Sequence, residues 1–173
     1  MPTKTVTKGA KRTAKRPSSK IVKTKVVGVT PFLWFDKDAE KAARFYVSLL
    51  EGSKVVSATP MSVEFTLAGQ DFYALNGGPT YELTPAFSFF VVVKTQAEVD
   101  RLWDALTADG GKESRCGWLV DRFGVSWQII PQRLTQLLSH KEAKVQRASF
   151  AAMMTMGKID IAALDAAAKK ARA

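Results

Sequence analysis

Two polar side chains occupy equivalent positions in a short motif that the chain contains twice. The segment Gly69–Leu75 returns as Gly124–Ile130, 55 positions later, and its fifth residue is Tyr73 in the first copy and Gln128 in the second. A phenol hydroxyl and a carboxamide both donate and accept hydrogen bonds. Among apolar neighbours, such groups typically orient a small bound molecule. The pattern therefore favours recognition of a small ligand close to the two motifs.

Strand alternation divides each motif into two faces. It places Tyr73 and Leu75 on one face of the first strand, and Gln128 and Ile130 on one face of the second. An amide between Trp127 and two isoleucines needs hydrogen-bond partners, so Gln128 is a candidate for contact with a ligand. Tyr73 is equally compatible with a strand aromatic whose hydroxyl group lies in water.

Nucleophilic chemistry has weak support in the sequence. Cys116 is the only cysteine, which excludes an internal disulfide, and His140 is the only histidine. Because no base lies near Cys116 in the sequence, we expect a small buried apolar residue rather than a nucleophile. A single unpaired cysteine fits a reducing compartment, so we expect the protein in the cytoplasm.

Each motif closes a longer unit in which a strand, a helix and further strands follow one another. The spacing of apolar residues predicts a helix from Ala39 to Leu50, capped by Asp36 or Asp38. The predicted strands of the first unit are Val26–Phe35, Lys54–Ala58, Ser62–Leu67 and Asp71–Leu75.

The second unit repeats this order and is followed by a purely helical segment. Thr95 and Glu98 form a predicted capping box at the start of its helix, and Gly110 ends that helix. The predicted strands are Ala86–Val93, Glu113–Leu119 and Val125–Ile130. Helices are expected around Leu134–Leu138, over Val145–Met156 and from Ile159 onward. Their apolar residues require docking on the body or on a second subunit.

The positive charge of the chain is concentrated at its N-terminus. Residues 1–25 hold nine Lys or Arg and no acid, whereas the remaining residues hold 17 basic groups and 16 acids. We expect a disordered tail, which either keeps the protein in solution or makes weak, non-specific contact with nucleic acid. No apolar run is long enough to span a bilayer, so no membrane partner is expected.

The tandem units resemble the vicinal-oxygen-chelate superfamily, which includes glyoxalases, extradiol dioxygenases and bleomycin-resistance proteins, and more closely its PhnB-like branch. The segments that carry this resemblance are Thr30–Asp36, Phe45–Tyr46, Leu75–Pro79, Val99–Trp103, Cys116–Pro131 and Lys158–Leu164. The resemblance implies an α+β fold with two tandem βαβββ modules, whose curved mixed sheet surrounds a cleft. We therefore divide the chain into a tail (1–25), a domain of two modules (26–131, with modules 26–79 and 85–131) and a helical extension (132–173).

The resemblance also indicates where metal ligands would lie, because metal-dependent members place His and Glu on four strands that face the cleft. The matching positions here hold Gln128, Tyr73 and either Ser88 or Phe87, with the fourth near Pro31 or Leu33. None of these side chains is a carboxylate or an imidazole, so we expect no metal and no other cofactor. The expected ligand-binding residues are Leu33, Phe35, Tyr73, Asn76, Ser88, Trp118 and Gln128.

Three functions remain open at this stage. The first is a metal-free small-molecule-binding protein that acts as a homodimer. The second is the methyltransferase activity that the label of the PhnB-like branch, demethylubiquinone 3-methyltransferase, implies. A methyl donor usually requires a glycine-rich turn between a strand and a helix, and neither Asn76–Pro79 nor Asp109–Gly111 has that context. The third is a lyase that uses Tyr73 or Gln128.

Overall fold

The computed structural model describes residues 23–173, so the predicted tail lies almost wholly outside the described residues. The first module contains β1 (Phe32–Phe35), α1 (Ala39–Leu49), β2 (Lys54–Ala58), β3 (Ser62–Leu67) and β4 (Gln70–Asn76). The second contains β5 (Ser88–Val93), α2 (Gln96–Thr107), β6 (Lys112–Glu113), β7 (Trp118–Val120) and β8 (Ser126–Pro131). The extension contains α3 (Gln132–Leu138), α4 (Ala143–Met153) and α5 (Ile161–Arg172). The predicted α+β class and the two βαβββ modules are confirmed.

Each module forms its own four-stranded mixed sheet with the same topology. The strand order is β1-β4-β3-β2 in the first sheet and β5-β8-β7-β6 in the second. The first and last strands of each module pair in parallel, and the other pairs are antiparallel. Strands β1 and β5 are therefore edge strands, and each has one edge that pairs with no described strand.

The helices of the two modules begin where local chemistry favours them. Thr95 accepts a hydrogen bond from the backbone of Glu98, and the Glu98 carboxylate accepts one in return, which confirms the predicted capping box before α2. The backbone bonds that this carboxylate accepts hold its pKa below the ordinary value. At α1 the predicted side-chain cap was wrong, because Asp38 makes no capping bond. The side-chain oxygen of Asn76 instead accepts the hydrogen bond of Ala39 N, at 2.8 Å.

Two predicted strands differ from the structure. The first begins at Phe32 instead of Val26, and Val26, Val27 and Val29 are exposed. Pro31 has no backbone N–H group to donate, and no described strand runs beside the preceding residues. The strand predicted over Glu113–Leu119 is split in two by a loop, in which Cys116 has a φ of +60°.

The two modules share one core between their sheets. The rings of Phe72 in β4 and Phe89 in β5 have centroids 5.2 Å apart, and Tyr46 of α1 lies 5.1 Å from Trp127 of β8. These side chains all lie in the core on the helix-bearing side of the sheets. Because both helix-bearing faces meet in this core, the opposite faces of the two sheets point away from each other. We call these the first and second open faces.

The helical extension docks on the second module of its own chain. Ile130 of β8 belongs to a separate apolar cluster with residues of α3, α4 and α5. Gly117 donates a backbone hydrogen bond to Gly157 at 2.7 Å, and Cys116 donates one to Met156 at 2.8 Å. A Cβ atom at Gly117 would lie 2.9 Å from Ile130 Cδ1 and 3.1 Å from Ile159 Cγ1, closer than van der Waals contact, and its φ of +84° also favours glycine. Among the described helices, none has the length and apolar character needed to cross a membrane.

Candidate functional site

The second open face brings three of the predicted site residues together. Strand β8 pairs with β5 and β7 in a register that sets Gln128 beside Phe90 and Trp118. The Nε2 group of Gln128 donates a hydrogen bond to Ser88 Oγ, at 2.9 Å. Gln128, Ser88 and Trp118 are all half-buried, so their polar atoms lie at an apolar surface that solvent still reaches.

Large apolar side chains frame this polar pair. Phe90 is 56% exposed and Val92 is 49% exposed, which is high for such residues in a strand of an ordered sheet. A cavity of about 260 Å³ lies beside Trp118 and extends to Ser126. Sequence reasoning missed Ser126, although its strand alternates with Gln128 onto the same face. Its hydroxyl is buried without a hydrogen-bond partner among the described residues, a costly arrangement that a ligand or water would relieve.

The first open face carries Tyr73. Register places Tyr73 between Phe32 on β1 and Glu64 on β3, and its side chain is 40% exposed. The Glu64 carboxylate raises the pKa of the Tyr73 hydroxyl, chiefly by accepting a hydrogen bond from it. A cavity of about 160 Å³ lies beside Tyr73 and reaches Val56.

Leu33 and Phe35 lie on the face opposite to Tyr73. They are 1% and 5% exposed and belong to the shared core. The expectation that they line a pocket with Tyr73 is corrected, because β1 pairs with β4 in a register that puts Phe32 beside Tyr73 and Leu33 beside Ala74. A one-residue shift in register changes which side chains share a face.

Asn76 is committed to the backbone of its own module. Its side-chain oxygen accepts the hydrogen bond of Ala39 N, and its amide group donates to the carbonyl of Pro60 at 2.9 Å. Both polar ends of the side chain are therefore used in holding the start of α1 and the β2–β3 turn. This position corrects the expectation that Asn76 contacts a ligand.

Tyr73 and Gln128 do not face a common cleft within one chain. Their sequence neighbours Phe72 and Trp127 both point into the shared core, so Tyr73 and Gln128 point outward in opposite directions. The structure therefore brings Ser88, Trp118 and Gln128 together on one side of the molecule and leaves Tyr73 on the other.

The open faces do not fit a divalent metal ion of the glyoxalase type. In residues 23–173, no group of three or more His, Cys, Asp or Glu side chains is close enough to hold an ion. Neutral hydroxyl and amide groups, such as those of Ser88 and Gln128, are weak ligands for zinc. His140 lies in the extension, where its ring nitrogens contact Glu142 N and the Arg172 guanidinium.

A buried carboxylate behind the second open face fixes the strand that carries Gln128. Asp121 accepts hydrogen bonds from Phe123 N and Val125 N, and from Trp127 Nε1 at 2.9 Å. Burial raises the pKa of Asp121 despite these bonds. Burial also raises the pKa of the adjacent Tyr46 hydroxyl, and the negative charge of Asp121 raises it further. These bonds shape the β7–β8 hairpin beside Tyr46 of α1.

Comparison with known proteins identifies the family. The profile of the 3-demethylubiquinone-9 3-methyltransferase family matches residues 27–130, more than half of the chain. No curated protein sequence matches the chain significantly. A PhnB protein from Bacillus cereus, whose description refers to the same methyltransferase, is 31% identical, with a TM-score of 0.55 over 60% of this chain and 98% of its own.

Two further solved structures are similar at lower identity. Protein PA1353 from Pseudomonas aeruginosa is 23% identical, with a TM-score of 0.50 over 61% of this chain and 98% of its own. A glyoxalase/bleomycin resistance protein/dioxygenase family enzyme from Burkholderia phytofirmans is 14% identical, with a TM-score of 0.44 over 58% of this chain and 94% of its own. From the profile match and the PhnB structure, the chain belongs to the 3-demethylubiquinone-9 3-methyltransferase family and has the PhnB-like vicinal-oxygen-chelate fold.

Proposed function

We propose that the protein is a metal-free small-molecule-binding protein of the glyoxalase/bleomycin-resistance type and that it acts as a homodimer in the cytoplasm. The observation that carries this proposal is the hydrogen-bonded pair of Gln128 and Ser88 on a half-buried apolar face without acidic or imidazole ligands. A few polar groups on an apolar concave surface are typical of small-molecule sites.

The dimer is supported by apolar surface that the described part of one chain leaves uncovered. Phe32 on the first open face and Phe90 on the second are each more than half exposed, as are Val26 and Val27 before β1. Among residues 23–173, strands β1 and β5 also each have an unpaired edge, whose N–H and C=O groups can pair with another strand. If a second copy pairs its β5 with β1 of the first, the backbone groups of both edges form hydrogen bonds, and the contact covers Phe32 and Phe90.

This pairing supplies the cleft that a single chain lacks. If β1 of one copy pairs with β5 of the other, the two sheets become one continuous sheet. Where this sheet curves, the first open face of one copy is turned toward the second open face of the other. Tyr73 of one chain and Gln128 of the other would then line the same cleft. A symmetric dimer contains two such clefts, because the same contact occurs twice around the two-fold axis.

The residues of this cleft favour a flat or amphipathic ligand. Trp118 offers a ring face for stacking, while Gln128 can donate its second amide hydrogen and accept through its oxygen. Tyr73 adds a hydroxyl from the other side. A quinone or another aromatic compound with one or two oxygen atoms has a matching set of groups.

Calorimetry can test the site directly. Bleomycin, a short-chain ubiquinone and a set of aromatic acids are titrated into the full chain after treatment with a chelator. We expect heat from at least one compound, and a loss of about tenfold in affinity in Gln128→Leu, which removes the hydrogen bonds but keeps the volume. The control is Gln136→Leu on the exposed side of α3. No heat from any compound, or equal losses in both variants, would contradict the proposal.

The description of the matched family makes methyl transfer the alternative function. The glycine-rich segments of the described chain weaken this alternative, because Gly77 and Gly78 lead into a loop and Gly110 ends a helix. Binding of S-adenosylmethionine to the purified protein, with methylation of a demethylated quinone, would establish the alternative and displace the binding role. A lyase that uses Tyr73 or Gln128 has no comparable support.

A further inference from the structure

The helical extension differs in charge from the modules on which it docks. Residues 132–173 contain eight Lys or Arg and three acids, whereas residues 26–131 contain nine Lys or Arg and 13 acids. A basic surface therefore adjoins an acidic body. An excess of positive charge confined to the extension favours binding of a polyanion there over a general effect of net charge on solubility.

The cations of the extension gather at one end of it. Helices α4 and α5 pack against each other so that the first turn of α4 lies beside the last turn of α5, and Lys144 Nζ is 3.5 Å from the carbonyl oxygen of Arg172. We call this surface the extension patch. Its exposed members are Lys141, Lys144, Arg147, Lys169, Lys170 and Arg172.

The three acids of the extension leave most of this charge uncompensated. Asp165 pairs with Arg133 at 2.6 Å, and Asp160 caps the opposite end of α5. Glu142 is the one acid within the patch, and it lies 3.7 Å from Arg172. Among the described residues, the other five patch cations form no ion pair.

Helix stability accounts for only part of the patch. Cations in the last turn of α5 complement the negative end of that helix. Lys141 and Lys144, in contrast, lie at the start of α4, where the helix dipole is positive and an acid would be favoured. Lys144 offsets part of this cost by donating a hydrogen bond to the carbonyl oxygen of Arg172 at the end of α5, whereas Lys141 forms no ion pair among the described residues. Both cations still lie close to the lysines of α5, and this repulsion favours binding of an anion.

We propose that the extension patch binds the phosphate backbone of nucleic acid without sequence preference. A row of closely spaced phosphates suits several exposed cations that lie close together. The same chain supplies a further nine Lys or Arg in residues 1–25. A lipid surface fits less well, because Val145 and Leu164 are buried inside the protein, and the exposed Phe150 lies in the last turn of α4, away from the patch at its first turn.

Salt-dependent binding to a short duplex of random sequence tests this inference. Fluorescence anisotropy compares the full chain with the triple variant Lys144→Gln, Lys169→Gln, Lys170→Gln. We expect the slope of log K against log salt to become shallower by about 0.9 for each phosphate that the variant no longer neutralises, and affinity at low salt to fall by about tenfold or more. The control changes three exposed cations of the modules, Lys37→Gln, Lys41→Gln and Lys94→Gln.

The inference is overturned if the patch variant keeps the slope of the parent, or if the control loses as much as the patch variant. It is also overturned if vesicles of anionic phospholipid or polyglutamate bind more tightly than the duplex and lose that binding in the patch variant. Thermal unfolding of the patch variant should stay close to that of the parent, because losing Lys144 relieves repulsion at the start of α4, whereas losing Lys169 and Lys170 removes cations that complement the end of α5. An unchanged fold with a changed salt slope separates loss of binding from loss of structure.

Discussion

The Gln128 amide donates a hydrogen bond to the Ser88 hydroxyl at 2.9 Å, across the parallel pair of β5 and β8. This bond fixes the amide at the centre of the second open face and leaves its oxygen and one hydrogen for another partner. In a metal-dependent relative, a carboxylate at this position would hold an ion. An amide held by a serine is suited instead to recognising a neutral or polar group of an organic molecule.

A charge on the exposed edge strand should prevent dimer formation. Phe90→Lys places an ammonium group at the centre of the apolar surface that we propose a second copy covers, and burying it would be costly. We expect the variant to sediment as a monomer at micromolar concentration while the parent sediments as a dimer. Phe150→Lys, on the exposed side of α4, is the matched control and should leave the parent behaviour unchanged. A monomeric parent would refute the dimer.

Replacing Asn76 should lower stability without a direct effect on a ligand. Asn76→Ala removes the acceptor for Ala39 N, and loss of such a helix-capping bond costs about 1 kcal/mol. Asn76→Asp also loses the bond to Pro60, but it keeps the acceptor for Ala39 N and adds a favourable charge at the start of α1, so it should lose less than Asn76→Ala. Urea denaturation measures both variants. If Asn76→Ala unfolds at the same urea concentration as the parent, the capping role is wrong.

Asp121 should make stability depend on pH in a direction unusual for a carboxylate. Burial raises its pKa, so between the unfolded value of about 4 and the higher folded value the folded state binds more protons. This contribution to stability is complete below the unfolded pKa and is lost as pH rises through the folded pKa. The variant Asp121→Asn lacks this contribution. The free energy of unfolding of the parent should therefore decrease relative to that of the variant as pH rises.

The comparison with Asp121→Asn is necessary because other carboxylates act in the opposite direction. Hydrogen bonds lower the pKa of Glu98 and of Asp100, and their contributions grow as pH rises. Subtracting the free energy of unfolding of the variant from that of the parent removes the contributions of Glu98 and Asp100, which both proteins share. Urea denaturation of both proteins between pH 4 and pH 8 gives the difference, and a difference that increased with pH would contradict the buried position of Asp121.

Local sequence signals predicted most of the fold because they act over a few residues. The pair of Thr95 and Glu98 marks the start of α2, and alternation correctly separates Trp127 from Gln128. Prediction was less successful where long-range pairing decides the outcome. Leu33 and Tyr73 both alternate in strands, but only the register between β1 and β4 shows that they face opposite sides.

The relative orientation of the modules was also beyond sequence reasoning. A repeat indicates two similar units but not which of their faces meet. Here the aromatic residues Tyr46 and Phe89 join the helix-bearing faces, with ring centroids 6.0 Å apart. The described residues of one chain therefore do not form the expected cleft between Tyr73 and Gln128, although both residues lie on open faces.

The most direct test of the shared cleft is chemical crosslinking between subunits. Tyr73→Cys and Gln128→Cys are prepared separately in a Cys116→Ser background, mixed to exchange subunits and treated with a short bis-maleimide. Because each proposed cleft joins Tyr73 of one chain to Gln128 of the other, we predict a covalent dimer in the mixture and none in either variant alone. A mixture that stays monomeric on a denaturing gel, under conditions where both thiols react, would contradict the shared cleft.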